Sequence, residues 1–393
     1  MIFCYYSIAM IKRTAQSTLE KMSLGFPVIA VTGPRQSGKS TLVQTTFAEK
    51  DYVTFDNLDV LASAKADPRG FLSRFPDGAA IDEAQRFPEL FSYIKVIVDE
   101  IKKPGMFVLT GSQQFGLVSS ITESLAGRVG IVELLPFSAE ELQSSNLLPP
   151  VINEILFKGM YPPLYDKNLL PSQWFAGYVT TYIERDVRNM LNIRELNIFQ
   201  RFLRMCAARV GQLLNISALA NDCGISTPTA RNWISVLEAS YIIFLLRPHF
   251  SNFGKRLVKM PKLYFHDTGL ATWLLNIHDT THLAIHSSRA ALFENFIVSE
   301  LLKQRYNRGL VSNLYFWRNN LGDEIDLLID NGTEQIPVEI KSGETITEDY
   351  FKTLKKWKKI TGKETASYLI YAGSESHLRH SVKIIPWHAI PKI

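Results

Sequence analysis

Eight consecutive residues, Gly33-Pro34-Arg35-Gln36-Ser37-Gly38-Lys39-Ser40, have the types and spacing needed to hold a polyphosphate. The glycines let the backbone curl, so that successive amide N–H groups point inward at phosphate oxygens. Lys39 places an ammonium group against the β- and γ-phosphates, and the Ser40 hydroxyl is a ligand for Mg²⁺. Thr41 opens a helical pattern whose N-terminal dipole favours the same anion. The β-branched run Val28 to Thr32 reads as a buried strand, so GxxxxGK[ST] stands with a strand before it and a helix after it. Gly33 to Thr41 is therefore the candidate cradle for ATP.

Two further groups of polar residues fit this chemistry. Ala79 to Asp82 reads as a strand that ends in two acids, Asp82 and Glu83. The first carboxylate can support the Mg²⁺ shell and the second can polarise the attacking water. An apolar strand at Met106 to Thr110 ends in hydroxyls, and Thr110 and Ser112 are candidates to sense the γ-phosphate. Arg128 precedes a last strand, Ile131 to Leu134, and could serve as an arginine finger in cis or on a neighbouring subunit; a surface arginine at a helix end is the plainer alternative. Near the C-terminus, Glu339 and Lys341 lie two apart in the strand Ile336 to Lys341 and so share a face. Asp326 lies in the partner strand Asp323 to Asp330, across a hairpin signal at Asn331-Gly332. Glu294 sits on the helical pattern Ala290 to Tyr306. Asp326, Glu339 and Glu294 together can hold Mg²⁺ for phosphodiester hydrolysis, with Lys341 steadying the water or the developing charge.

These residues need elements to position them. Strands at Tyr52 to Asp56, Ala79 to Asp82, Met106 to Thr110 and Ile131 to Leu134 alternate with helical patterns, the clearest being Glu89 to Ile101. That rhythm implies an α/β domain on a parallel sheet. After Ser138 it stops. Short helices at Glu140 to Asn146 and Asn153 to Gly159 are broken by proline pairs, and a longer helix spans Trp174 to Met190. There Arg185 and Arg188 are solvated charges or contacts to a neighbour's nucleotide. Ile216 to Cys223, Gly224 and Ser226 to Leu237 have helix-turn-helix cadence, and Tyr241 to Leu246 with Lys262 to His266 would add a hairpin wing. Thr227, Thr229, Arg231 and Asn232 would face a DNA groove, and Lys255, Arg256 and Lys259 would meet phosphates. This stretch, Cys206 to Ile285, holds seven Lys/Arg against four Asp/Glu, an excess that permits DNA as well as a protein partner.

At this point the chain resembles a prokaryotic group of AAA-type P-loop ATPases. The likeness rests on Gly33 to Ser40, the acidic segment Asp82 to Gln85, the segment Thr110 to Gln114, Leu125 to Arg128, and Glu133 to Phe137. It extends from Met10 to the end. The resemblance implies a RecA/AAA-like core over residues 1–140, a helical linker over 141–205, a winged helix over 206–288, and a PD-(D/E)xK (restriction-endonuclease-like) domain over 289–393. Ile325 stands where that last family usually has proline before the acid. The expected activity is Mg²⁺-dependent ATP hydrolysis coupled to DNA binding or cleavage. A nucleotide-controlled switch with inactive, protein-binding C-terminal modules is the alternative from another class. A kinase on the same loop is a third, disfavoured by Glu83.

Composition bounds these readings. With 393 residues, 46% hydrophobic and 21% charged, the chain has apolar content for more than one core and is not disordered as a whole. A net charge of +5 permits an anionic partner. Cys4, Cys206 and Cys223 form no CxxC pair, which argues against a disulfide framework and suggests an intracellular, cytoplasmic chain. Ile2 to Ile11 is apolar, but its charges follow it, so it reads as a poor signal peptide and as an extension ahead of Met10. No apolar stretch reaches the roughly 20 residues of a membrane span. His278, His282 and His286 read as loop residues without zinc-site context.

Overall fold

The computed structural model describes residues 10–112, 121, 123–167, 169–183, 196–249, 259–319, 321–362 and 365–390. The apolar run ahead of Met10, Gln113 and Gln114, Arg185 and Arg188, and Lys255 and Arg256 lie outside them.

The N-terminal part is built on five strands: β1 (Val28–Thr32), β2 (Asp51–Thr54), β3 (Ala79–Asp82), β4 (Phe107–Gly111) and β5 (Val129–Glu133). Their order is β2-β3-β4-β1-β5 and every pair is parallel. All five residues of β1 are buried, as an apolar β-branched run covered on both faces must be. On one face pack α1 (Gln16–Ser23) and α2 (Lys39–Thr46), through Leu19, Leu42 and Val43. Three further helices are α3 (Leu58–Ala66), α4 (Pro68–Ser73) and α5 (Leu90–Ile101); Phe71, Leu72, Leu90, Phe91, Ile94 and Val98 fill the other face. Parallel pairing puts the ends of β1, β3 and β4 on one edge, with Thr32 opposite Gly111 and Thr54 opposite Asp82. The expected strands are all present, displaced by at most two residues at their ends.

The middle region is helical and departs from the sequence reading in three places. Helix Pro171–Tyr178 gives way to a π-turn at Val179–Ile183 instead of running on uninterrupted. Val179, Thr180, Thr181 and Ile183 crowd β-branched side chains there, which disfavours regular helix. Pro162 does not break a helix but starts one, Pro162–Asp166, at a position where a missing N–H costs nothing. His282 lies in a short helix, Thr280–Ile285, flanked by His278 and His286, because Asp279 accepts from the backbone of His282 at 2.7 Å and caps it. Helices Ile216–Cys223 and Thr227–Ala239 meet at Gly224, whose φ of 71° is left-handed, and Ser226 caps the second by accepting from Thr229 N. A two-stranded antiparallel ribbon follows, β6 (Ile243–Leu246) with β7 (Lys262–Phe265).

The C-terminal part is a six-stranded mixed sheet: β8 (Leu314–Arg318), β9 (Glu324–Asp330), β10 (Gln335–Lys341), β11 (Ser367–Tyr371), β12 (His377–Arg379) and β13 (Val382–Pro386), ordered β12-β13-β11-β10-β9-β8. The helix Arg289–Asn307 packs against it and also reaches the N-terminal part. There Lys303 pairs with Glu300 at 2.6 Å and donates to Phe137 O at 2.8 Å, while Glu300 accepts from Ala139 N at 2.6 Å. In helix Lys352–Thr361, Trp357 is buried edge-on to Trp317, with Lys355, Lys356, Lys358 and Lys359 on the exposed side. Among the described residues, no helix is long and apolar enough to cross a membrane.

One buried group makes stability depend on pH. His266, at the end of β7, is enclosed; burial first, and then the Lys303 ammonium, push its imidazole down to about 3. The unfolded chain therefore binds one more proton than the folded one between about pH 6.5 and 3. His266 contributes stability that is complete above that window and falls by about 1.4 kcal/mol per unit within it. Urea denaturation from pH 7 to 4.5 is expected to show a shallower loss for His266→Phe than for the native chain; parallel curves would exclude this origin.

Candidate functional site

The loop between β1 and α2 has backbone geometry that side chains would forbid. Gly33 has φ 144°, and a Cβ on it would lie 2.1 Å from Leu134 O. Gly38 has φ 88° and caps α2 in the left-handed region. Gln36, also left-handed at φ 61°, donates from its amide to Tyr182 OH at 2.7 Å and accepts from Trp174 Nε1 at 3.2 Å. Arg35 lies over the Tyr182 ring, 5.5 Å from its centroid. The loop is held from beneath by Arg13, which donates to Ser37 O and Leu135 O at 2.7 Å each and pairs with Glu141 at 3.0 Å. Lys39 is buried and donates to Gly33 O at 3.1 Å and Pro34 O at 2.7 Å. Burial lowers its ammonium to about 8, against the opposing fields of Glu83 and Asp82.

Asp82 joins three elements. Its Oδ2 accepts from Ser40 Oγ at 3.0 Å and from Tyr52 OH at 2.6 Å, and its Oδ1 accepts from Thr110 Oγ1. Adjacent Glu83 has φ 51°, a strained conformation for a residue with a Cβ. Its carboxylate accepts from Gln85 at 2.5 Å and from Ser112 Oγ at 3.4 Å. A hydroxyl and a carboxylate side by side are hard oxygen donors of the kind Mg²⁺ takes, so the residues present fit that ion. The structure thus brings Lys39, Ser40, Asp82, Glu83, Thr110 and Ser112 to one sheet edge. Beside Gly38 and Thr41 lies a cavity of about 560 Å³ walled by Met10, Ile11, Phe137 and Pro162, within the range that holds a small-molecule ligand. Sequence reasoning missed Arg13, Tyr52 and this cavity, since each depends on contacts between segments far apart in the chain.

Arg128 is not in this group. It immediately precedes β5, at the opposite edge of the sheet from the loop, and its guanidinium binds Asp99 at 2.5 and 2.9 Å. A finger acting in cis is therefore ruled out by strand direction.

A second polar cluster stands in the C-terminal part. Lys341 contacts Glu339 Oε1 at 2.6 Å and Asp326 Oδ2 at 3.2 Å, and Asp326 also accepts from Ile340 N at 2.9 Å. Glu294 accepts from Lys262 Nζ at 2.9 Å and Tyr264 OH at 2.5 Å. Lys262 also meets Glu324 at 2.5 Å. Burial pushes Glu339 up to about 8, helped by the Asp326 charge. Burial alone would lower Lys341, but Asp326 and Glu339 more than offset it and the net direction is up. The four expected residues therefore lie close together but in two bonded groups, Asp326–Lys341–Glu339 and Glu294–Lys262–Glu324, whose charges act on one another. Among the described residues, however, no three His, Cys, Asp or Glu are arranged to hold a metal ion, because the ammonium groups of Lys262 and Lys341 stand between the carboxylates. In the helix pair, Arg231 and Asn232 are exposed, as is Lys259, while Thr227 and Thr229 are half-buried.

Three family models match successive parts of the chain. An AAA domain matches residues 25–143, and two domains of unknown function, DUF8612 and DUF4143, match residues 150–281 and 289–390. Two uncharacterized proteins, from Mycobacterium bovis and Mycobacterium tuberculosis, are each 34% identical over 338 residues, covering 85% of this chain and 74% of theirs. A solved Walker-type ATPase of Pyrococcus abyssi superposes with a TM-score of 0.44 at 18% identity, over 67% of this chain and 96% of that one. Residues 25–143 are thus an AAA-type P-loop ATPase domain.

The Arg13 anchor gives a direct test of the loop's support. Arg13→Met leaves Glu141 as a buried charge without its guanidinium, a change that costs about 3–5 kcal/mol. Chemical denaturation is expected to show that loss; a change below about 1 kcal/mol, the range of exposed pairs, would mean Arg13 does not hold the loop.

Proposed function

The chain belongs to the same family as the two mycobacterial proteins, and from that premise we propose that it binds and hydrolyses ATP with Mg²⁺ and uses this cycle to gate DNA handling by its C-terminal half. The observation that carries the first part is the Asp82 junction, where the phosphate loop, β2 and β4 meet on one carboxylate. Gly33 to Thr41 wrap the triphosphate with backbone amides, and Lys39 turns from the loop carbonyls to its β- and γ-oxygens. Ser40 and Asp82 hold the metal, which when bound neutralises charge on the phosphates. Glu83 orients and polarises the attacking water, and Thr110 and Ser112 read the γ-phosphate. Arg128 retains a role only toward a neighbour's nucleotide, which would require a homo-oligomer.

For the C-terminal half, the proposed division is a helical linker over 141–205, a winged helix over 206–288 and a PD-(D/E)xK domain over 289–393. What supports it is the convergence of Glu294, Asp326, Glu339 and Lys341, together with exposed Arg231, Asn232 and Lys259 for phosphate contact. In that reading the three carboxylates hold Mg²⁺ and Lys341 steadies the attacking water. The lysines that already pair with these carboxylates favour the second reading, a nucleotide-controlled switch whose C-terminal modules bind protein without cleaving.

Hydrolysis of ATP with and without duplex DNA separates these outcomes. Glu83→Gln is expected to lower turnover about 100-fold or more while binding ATP as before, since a positioned base contributes at least that much. Unchanged turnover in Glu83→Gln would remove Glu83 from the mechanism. DNA cleaved by the native chain and left intact by Lys341→Ala would support the nuclease reading; no DNA binding at low salt would leave the switch.

A further inference from the structure

The acid cluster is made by one part of the chain and closed by another. Glu294 comes from the helix Arg289–Asn307, Glu324 and Asp326 from β9, and Glu339 from β10. Lys262 and Tyr264 come from β7, a strand of the ribbon and not of this sheet. Both donate to the same atom, Glu294 Oε1, and Lys262 reaches Glu324 Oε1 as well, with its side chain only 4% exposed. Counted with all four carboxylates ionised, as they would be around a metal ion, Glu294, Glu324, Asp326 and Glu339 face the cations of Lys262, Lys341 and Arg318. Withdrawing Lys262 leaves two uncompensated negative charges, the complement of a divalent ion. One acceptor in the cluster is already short of a donor: Glu339 is 4% exposed, and its Oε2 has no hydrogen-bond partner.

The ribbon that delivers Lys262 is anchored at the nucleotide site. Buried Tyr241, two residues ahead of β6, has its hydroxyl 2.9 Å from Thr32 Oγ1, and Thr32 is the last residue before Gly33. Antiparallel pairing then sets Phe244 opposite Tyr264 and Leu246 opposite Lys262. One short ribbon therefore touches the phosphate-loop strand at one end and the acid cluster at the other.

We infer that Lys262 is a tethered cation that keeps a divalent metal ion out of this cluster, and that the β6–β7 ribbon ties its position to the phosphate loop. The inference rests on reading the cluster as a metal-assisted phosphodiester site. It makes Lys262 a built-in inhibitor: the cluster takes a divalent ion when the ribbon withdraws, and closes when it returns.

The test is binding of Mn²⁺ to the full chain without nucleotide, by equilibrium dialysis. Lys262→Met is expected to bind one Mn²⁺ at least tenfold more tightly than the native chain, and Lys262→Met with Glu339→Gln to lose that gain. Glu324→Gln removes one of the two carboxylates that anchor Lys262 and serves if Lys262→Met does not fold; it is expected to show a smaller gain. Tyr241→Phe is expected to raise Mn²⁺ affinity by loosening the ribbon, and no change there overturns the tie to the phosphate loop. Equal affinity in the native chain, Lys262→Met and Glu324→Gln, abolished in each by Glu339→Gln, overturns the tethered cation and leaves the cluster as a metal site. No Glu339-dependent Mn²⁺ binding in any variant overturns the underlying reading as well.

Discussion

The carboxylate of Asp82 is the constraint on which the nucleotide site depends. It closes β3, and it accepts from the first turn of α2, from β2 and from the end of β4. A buried carboxylate with three donors is fixed in orientation, and each donor is fixed in turn. Ser40 can stand beside Asp82 only because Gly33 and Gly38 take left-handed backbone angles that bring the start of α2 back over the sheet edge. Arg13 sets the depth of that loop from below. The strand order matters for the same reason: β4 lies between β1 and β3, so Thr110 sits between the loop and the acids.

The rest of the chain is attached to this edge by buried polar contacts as well as by apolar packing. Lys303 and Glu300 reach the backbone at Phe137 and Ala139, and Tyr241 reaches Thr32. Such contacts are sensitive to geometry, because a small shift leaves a buried group unpaired. An apolar cluster running from Leu135 to Trp387 is continuous across the middle and C-terminal regions.

Much of this was legible in the sequence, and what was not has a common cause. Gly33 to Ser40, Asp82 and Glu83 could be read because their chemistry is carried by neighbours in the chain. Asp326, Glu339 and Lys341 could be read because a hairpin of period two fixes which residues face each other. A role for Arg128 in cis was excludable from the sequence as well, since a residue that precedes a strand of a parallel sheet lies at the edge opposite the loop. Tyr52, Arg13 and Lys262 act through partners 30, 128 and 32 residues away, and no local pattern marks them. The turn at Val179–Ile183 was hidden for the opposite reason: helical spacing of aromatic residues persists through it, while the β-branched crowding that disturbs the helix is a weaker signal.

If the phosphate loop and Asp82 form one metal-assisted triphosphate site, ATP binding depends on Mg²⁺ through Asp82. This dependence is tested most directly by calorimetric titration of ATP into the intact chain with and without Mg²⁺, comparing the native protein with Asp82→Ala. The native chain is expected to bind ATP at least tenfold more tightly with Mg²⁺ present, and Asp82→Ala to lose that dependence. Binding that is indifferent to Mg²⁺ in both proteins, or no binding by the native chain at saturating Mg²⁺, would contradict such a site.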